Sequence, residues 1–332
     1  MKKILAINFG GIGDEIFFLP TLISLKKEFP ASHITLALEP RSKGIQTLTD
    51  VIDDVILIDV KGKNKYIELF KLILKARHDK FDMVVSSGGN KLISILLFMT
   101  GIKKRYGYDT GALSRLLLSC AMPLNKKQYA CAMYHDLIRE ITDYNTILPE
   151  INVEKRETIS NSVLIHPGVS KLSIQKKCIK TIPPQSWAKV IDLLVAEGKR
   201  VMLVGGPDDK ECIELILENV RTKNFENLYG TTKNLKDLAE LISSAEKFLC
   251  SDSAPLHIAV ALGVQTYVIF GPTDDKTLVP QSEKVVPIKA SDSCPLKPCL
   301  WARRQITCEN LDCLNITAKQ IVEKVLSIRY EY

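Results

Sequence analysis

No apolar run long enough to cross a bilayer occurs in this 332-residue sequence; the longest nearly apolar stretch, residues 92–102, falls well short of the ~20 residues a spanning helix needs. Aromatic residues are few, at 7%, yet 46% apolar and 25% charged residues are the content of an ordinary globular chain and exclude intrinsic disorder. No secretory leader is expected. Lys2-Lys3 and the apolar residues 4–7 imitate one briefly, but Asp14 and Glu15 end the apolar stretch and no small-residue cleavage site follows. The sequence therefore predicts a protein that begins at Met1 and stays in the cytoplasm. Neither sign of charge dominates: 45 Lys and Arg against 38 Asp and Glu leave +7, too mild to point to nucleic acid.

The distribution of charge says more than its sum. Residues 1–150 carry 21 basic and 16 acidic side chains, and the remainder 24 and 22. Within 101–130, Lys103, Lys104, Arg105, Arg115, Lys126 and Lys127 face a single acid, Asp109, and are interleaved with Leu116, Leu117, Leu118 and Met122. Such a stretch suits an anionic amphiphile or a membrane surface. Composition alone favours the plainer reading, a solvated face with a core helix beneath.

The nine cysteines form two populations. Cys120, Cys131, Cys178, Cys212 and Cys250 stand singly among apolar residues and read as small buried hydrophobes. Cys294, Cys299, Cys308 and Cys313 cluster as C-x4-C-x8-C-x4-C, which lacks the tight pairs of common zinc ribbons. Packed reduced thiols and a metal site account for that spacing equally well.

Short β-rich runs at 4–8, 34–38, 55–58 and 83–86 alternate with segments of helical period. After a polar stretch around Pro149 the alternation restarts, with strands expected at 162–165, 201–204, 227–229, 247–250 and 266–270. Two doubly wound α/β domains follow, each a parallel sheet covered by helices. The expected organisation is a domain over 1–150, a linker at 151–161, a second domain over 162–317 and a terminal helix in 318–332. Ligands of such sheets bind at the carboxyl ends of strands, and the cleft between two domains is the default site.

Three motifs sit at such strand ends. Gly10-Gly11-Ile12-Gly13-Asp14 opens the first helix directly after the first strand. It lacks the order of a dinucleotide fingerprint, and it places a carboxylate where either a helix cap or a cleft-facing base would stand. The second is Asp252-Ser253-Ala254-Pro255-Leu256-His257, where the amides of Ala254, Leu256 and His257 could face a phosphate while His257 could equally be a satisfied core histidine. The third is His166-Pro167-Gly168, followed by Lys171, Lys176, Lys177 and Lys180 and then by Thr181-Ile182-Pro183-Pro184. Several cations on one loop would balance a diphosphate, and Lys180, directly before the Pro-Pro helix start, has the most fixed position.

Taken together, Gly13-Asp14, His166 to Gly168, Lys180 to Pro184, the block from Asp252 to Gly263 and Phe270-Gly271-Pro272-Thr273 resemble glycosyltransferase family 9, the ADP-heptose:lipopolysaccharide heptosyltransferases. The resemblance implies a GT-B fold, two Rossmann-like domains with the donor in the C-terminal one and the acceptor in the N-terminal one. It implies an inverting, metal-independent transfer of heptose from ADP-heptose to a hydroxyl of the lipopolysaccharide inner core, by a cytoplasmic protein peripheral to the inner membrane. By resemblance Asp14 is the general base and Lys180 holds the diphosphate, while Gly11, Gly13, Ser170, Asp209, Asp252, Ser253, Ala254, Leu256 and His257 are substrate-binding positions. Ala254 stands where members usually carry Gly, and Lys176 or Lys177 could replace Lys180. Asp208, Asp209 and Glu211 compete for the ribose hydroxyls. An epimerase on the same scaffold would need a second acid or base that no motif supplies, and an inactive binding module would have no need of Asp14, Lys180 and His257 together.

Overall fold

The computed structural model describes residues 1–175, 177–290, 294, 296–299 and 311–327. The chain divides into two compact units, Met1–Asn152 and Val153–Tyr332. Each is built on a parallel sheet, six-stranded among the described residues. These are the paired Rossmann-like sheets of a GT-B chain.

In the first unit the strands are β1 (Lys3–Asn8), β2 (His33–Leu38), β3 (Asp54–Leu57), β4 (Met83–Ser86), β5 (Lys104–Tyr108) and β6 (Cys120–Met122), in the order β3-β2-β1-β4-β5-β6. Ile4, Leu5, Ala6 and Ile7 are fully buried, as a central strand covered on both faces requires. One layer contains α1 (Ile12–Glu28) packed against α5 (Ala130–His135); the His135 ring and the Ser24 hydroxyl meet at 2.9 Å between them. The other layer is formed by α2 (Lys65–Asp79), α3 (Lys91–Met99) and α4 (Ala112–Leu117). Leu72, Ile73 and Ala76 of α2 and Leu96 and Leu97 of α3 close over Leu5, Ile7 and Val84 of the sheet.

The basic stretch 101–130 thus holds two strands, β5 and β6, that the alternation did not reveal. Of its apolar residues Leu118 and Met122 are buried while Leu116 is exposed.

The second unit carries β7 (Ile159–His166), β8 (Arg200–Leu203), β9 (Glu226–Asn227), β10 (Ala245–Ser251), β11 (Gln265–Phe270) and β12 (Val285–Lys289), in the order β12-β11-β10-β7-β8-β9. β7 starts at Ile159, inside the stretch expected as linker, because the Ile159 amide already donates to Ser244 O. The helices are α6 (Lys171–Gln175), α7 (Pro184–Ala196), α8 (Lys210–Asn219), α9 (Leu235–Ser243), α10 (Ala254–Leu262), α11 (Asp275–Leu278) and α12 (Ala318–Leu326). α12 belongs to this unit: Ile321, Val322 and Val325 enter the core that holds Trp187, Ile191 and Leu194 of α7. Its start is fixed by a capping box in which the Thr317 hydroxyl accepts from the Gln320 amide and Gln320 Oε1 accepts from the Thr317 amide.

In both sheets the order reverses beside the first strand, between β1 and β4 and between β7 and β10. The crevice outside the strand ends at such a switch point is where doubly wound sheets take their ligands. Among the described residues no helix is long and apolar enough to cross a membrane.

Candidate functional site

The first-unit corner forms where β1 hands over to α1. Asp14 is the third residue of α1, whose N-cap is Gly11, and its Oδ2 accepts from the Gly11 amide at 2.8 Å. Tyr134 of α5 donates its hydroxyl to the other oxygen, Oδ1, at 3.3 Å. The carboxylate is therefore gripped at both oxygens and remains only half-buried. Asp14 caps the helix, and the position leaves it reachable, so the two readings are compatible.

Glycine is required at Gly10, where a Cβ would stand 2.2 Å from that of Asp14. The turn is closed by Asn8, whose Nδ2 donates to Asp14 O at 3.0 Å while its Oδ1 accepts from the Gly10 amide at 3.2 Å. Gly13 is the second residue of α1.

Burial holds the Tyr134 phenol well above its ordinary pKa, with the charge of Asp14 adding to the effect, so it stays a donor. Tyr134 is fixed by edge-to-face packing on Phe18 at 5.9 Å. Glu15 faces inward, and both of its oxygens are buried without a hydrogen-bond partner among the described residues. Burial first, and Asp14 second, raise its pKa well above the usual range. The guanidinium of the exposed Arg41 lies over Gly11: a Cβ built there would be 3.7 Å from its terminal nitrogens and 3.7 Å from Asp14 Oδ2.

The second-unit corner lies at the ends of β7 and β10, on either side of the switch point. Asp252 follows β10 and is buried; its Oδ2 lies 3.2 Å from Lys180 Nζ and accepts from the Thr273 hydroxyl at 2.8 Å. The residue beside Lys180 is pinned as well. Thr181 Oγ1 donates to Pro167 O at 2.7 Å and accepts from Trp187 Nε1 at 2.9 Å, and the Ser251 hydroxyl reaches the same two oxygens at 2.8 and 2.7 Å. This knot fixes where the 167, 181 and 251 loops stand, and with them the backbone beside Lys180, whose three-proton ammonium is held by Asp252.

Ser253 is the N-cap of α10 in extended conformation and makes no side-chain cap bond. Ala254 opens the helix. Leu256 differs from expectation: its side chain is wholly buried and its amide donates to Ser253 O at 3.1 Å, so that amide is spent inside the first turn. His257 is buried too. Burial lowers its pKa to about 4, Asp252 opposing the shift and Lys180 adding to it, so the imidazole is neutral in the folded chain.

The unfolded chain protonates this histidine from pH 6.5 downward and the folded chain only near pH 4, so stability drains away as pH falls through that window. Wild-type protein should lose about 2 kcal/mol more than His257→Gln between about pH 7 and about pH 5, read by urea unfolding. Equal losses would mean that His257 is not the group that titrates.

Asp209 also departs from a simple ligand position. It is buried, its Oδ2 accepts from the Gly206 amide at 2.8 Å and lies 3.4 Å from His166 Nε2, and its Oδ1 would sit 1.8 Å from a Cβ at Gly168. Its carboxylate ties the 166–168 loop to the 205–209 turn, whereas Asp208 and Glu211 are the exposed acids there. Ser170 caps α6, its hydroxyl lying 2.9 Å from that of Ser173 and accepting from the Ser173 amide at 3.3 Å. Lys177 is exposed, and Lys176 lies outside the described residues.

Among the four clustered cysteines, Cys308 lies outside the described residues. Cys313 is part of the second unit's core and Cys294 packs against it, while the Cys299 amide donates to Pro272 O at 3.0 Å. Among the described residues no three His, Cys, Asp or Glu side chains gather as metal ligands would.

Tyr134 and Arg41 escaped the sequence motifs; Thr181 stood within one of them, but its contacts with Ser251 and Trp187 did not show in the sequence. Tyr134 lies 120 positions from Asp14 and carries no local signature.

Comparison with known proteins gives the family. Residues 69–303, more than half of the chain, match the model of Glycosyltransferase family 9 (heptosyltransferase), a span that includes Lys180, Asp252 and His257. The chain is 26% identical over 303 residues to lipopolysaccharide heptosyltransferase 3 of Escherichia coli, covering 84% of this chain and 86% of that protein. Among solved structures it resembles the glycosyl transferase family 9 protein of Veillonella parvula DSM 2008, with a TM-score of 0.77 at 21% identity over 98% of this chain and 96% of the other. It also resembles the ADP-heptose lps heptosyltransferase II of E. coli, with a TM-score of 0.73 at 20% identity over 98% and 97%. With the family model matching more than half of the chain and the fold shared end to end, this chain belongs to glycosyltransferase family 9 and is a glycosyltransferase.

Proposed function

We propose that the protein transfers a heptose from ADP-heptose to a sugar hydroxyl of the lipopolysaccharide inner core, with inversion at the anomeric carbon. The observation that carries this reading is the pair of corners: a reachable carboxylate gripped at both oxygens in one unit, and a fixed ammonium beside a helix start in the other. The two E. coli relatives named above, lipopolysaccharide heptosyltransferases by name, support the sugar and the acceptor class.

In the proposed step Asp14 removes the proton of the acceptor hydroxyl as its oxygen bonds to C1 of the heptose. The bond from C1 to the β-phosphate oxygen breaks, and ADP departs carrying that electron pair. Lys180 and the start of α10 at Ser253 and Ala254 meet the growing negative charge on the diphosphate. Charge neutralisation by an ammonium and amides lets the step run without a metal ion. The protein works in the cytoplasm, peripheral to the inner membrane where its glycolipid acceptor resides.

Calorimetric titration with ADP, UDP and GDP, with and without EDTA, tests the donor. Selective ADP binding that survives chelation is expected. Preference for UDP or GDP, or binding lost on chelation, would remove the ADP-heptose donor and the metal-free step from the account.

Tyr134 serves as a positioning residue in this scheme. Tyr134→Phe should lower kcat about three- to tenfold, the cost of one hydrogen bond to the base, while KM for the donor and Tm stay unchanged. A change in donor KM or in Tm with kcat intact would make its role purely structural.

A further inference from the structure

The helical layer α2–α3–α4 of the first unit has a second apolar side. Beneath it lies the core described above; outward it presents more apolar residues. On α2, Ile67, Phe70 and Leu74 follow a helical spacing of three and four and are each at least 50% exposed. α3 adds Leu92 and Phe98, and α4 adds Leu113 and Leu116, the last 78% exposed. The helices form one face: α3 packs against both neighbours, and Arg77 Nε of α2 donates to Met99 O at the end of α3 at 2.8 Å. A contiguous exposed apolar face of this kind marks an interaction surface.

Charge identifies the partner. Residues 61–127 hold fourteen Lys and Arg against four Asp and Glu, a larger surplus than the +7 of the whole chain. Of the acids, Glu68, Asp79 and Asp109 are each already paired with a neighbouring Lys, His or Arg. Cations fringe the apolar stripe itself: Lys71 and Arg77 flank it on α2, Lys91 begins α3, the Arg105 guanidinium lies 5.5 Å from the Phe98 ring, and Arg115 sits beside Leu116. Short helices lying side by side, apolar outward and rimmed by cations, are matched to the interface of an anionic bilayer, where apolar side chains enter the acyl boundary and ammonium and guanidinium groups meet phosphates.

We infer that the outer face of α2, α3 and α4 docks the protein on an anionic phospholipid leaflet. This gives a location to the peripheral membrane contact in the proposed function and rests on that reading only for its purpose.

Flotation of the full chain with vesicles tests it. Binding to phosphatidylglycerol–phosphatidylethanolamine vesicles should be at least about tenfold stronger than to phosphatidylcholine vesicles and should fall to the latter's level in about 0.5 M salt. The double variant Phe70→Glu with Leu116→Glu should lose at least about tenfold of that binding. It should keep wild-type transfer to an acceptor trimmed to its soluble sugar portion. If the glutamates lower Tm, Phe70→Ser with Leu116→Ser replaces them in the same assay. Equal binding to both vesicle types, or binding indifferent to these substitutions, would overturn the inference. So would a dimer, seen by sedimentation, that the same substitutions dissolve, since the occupant would then be a second copy of the chain. Wild-type protein that transfers to the soluble acceptor yet binds neither vesicle type fails the surface alone, whereas wild-type protein inactive on the soluble acceptor fails the proposed function.

Discussion

Asp14→Asn should lower kcat by two to four orders of magnitude, about the worth of a positioned general base, and leave donor affinity within about twofold. The amide is isosteric with the carboxylate: its oxygen can still accept from the Gly11 amide, and its nitrogen can donate to the Tyr134 hydroxyl. The turn that depends on Gly10 and Asn8 then keeps its shape, and what disappears is the capacity to take a proton. Steady-state kinetics with saturating donor, beside calorimetry of ADP binding, separates the two. Turnover within about tenfold of wild type would remove Asp14 from the chemical step, and loss of ADP binding would make the residue structural.

The second large effect is expected at Lys180. Lys180→Ala should weaken ADP binding by about ten- to a hundredfold and lower kcat by a further two to three orders of magnitude, as when one stabiliser of developing negative charge is deleted. Two losses combine. The diphosphate forfeits its cation, and buried Asp252 keeps only the Thr273 hydroxyl of its two polar contacts described above. An unfolding free energy lower by about 1–3 kcal/mol should accompany the change. Lys180→Arg restores charge and should recover part of the binding. Lys177→Ala serves as the control, since that side chain is exposed, and should alter ADP binding less than about twofold. Equal losses at both positions would mean a diffuse basic loop and not one placed ammonium.

Much of this was legible from local pattern. The fully buried run Ile4, Leu5, Ala6 and Ile7 announces a central parallel strand because no polar residue interrupts it. Gly10 and Asp14 announce the turn because no other residue fits beside the carboxylate. The strands after β4 in the first unit were harder: β5 reads Lys-Arg-Tyr-Gly-Tyr, and its cations and glycine mask a half-buried strand. Contacts distant along the chain were out of reach. Nothing near Tyr134 hints at Asp14, and nothing in the acidic turn after Gly206 tells which acid turns inward. Only the fold shows Asp209 filling the space a Gly168 side chain would take, with Asp208 and Glu211 left outside. The amide of Leu256 likewise looked available until the first turn of α10 was seen to use it.

The outward side of α2 shows a similar limit. Apolar period identifies an amphipathic helix, but Leu72 and Phe70 are equally apolar, and only packing shows that one enters the core while the other faces solvent. In the 101–130 stretch the structure separates buried Leu118 from exposed Leu116, which composition could not.

The central claim is a direct, inverting heptosyl transfer carried by Asp14 and Lys180. The measurement that tests it is incubation of the purified chain with ADP-heptose and a lipopolysaccharide core acceptor, with NMR of the product. The account predicts one added heptose whose anomeric configuration is opposite to that in the donor, formed by wild type and at least about a hundredfold more slowly by Asp14→Asn. A product with the donor's configuration, or transfer undiminished in Asp14→Asn, would contradict it.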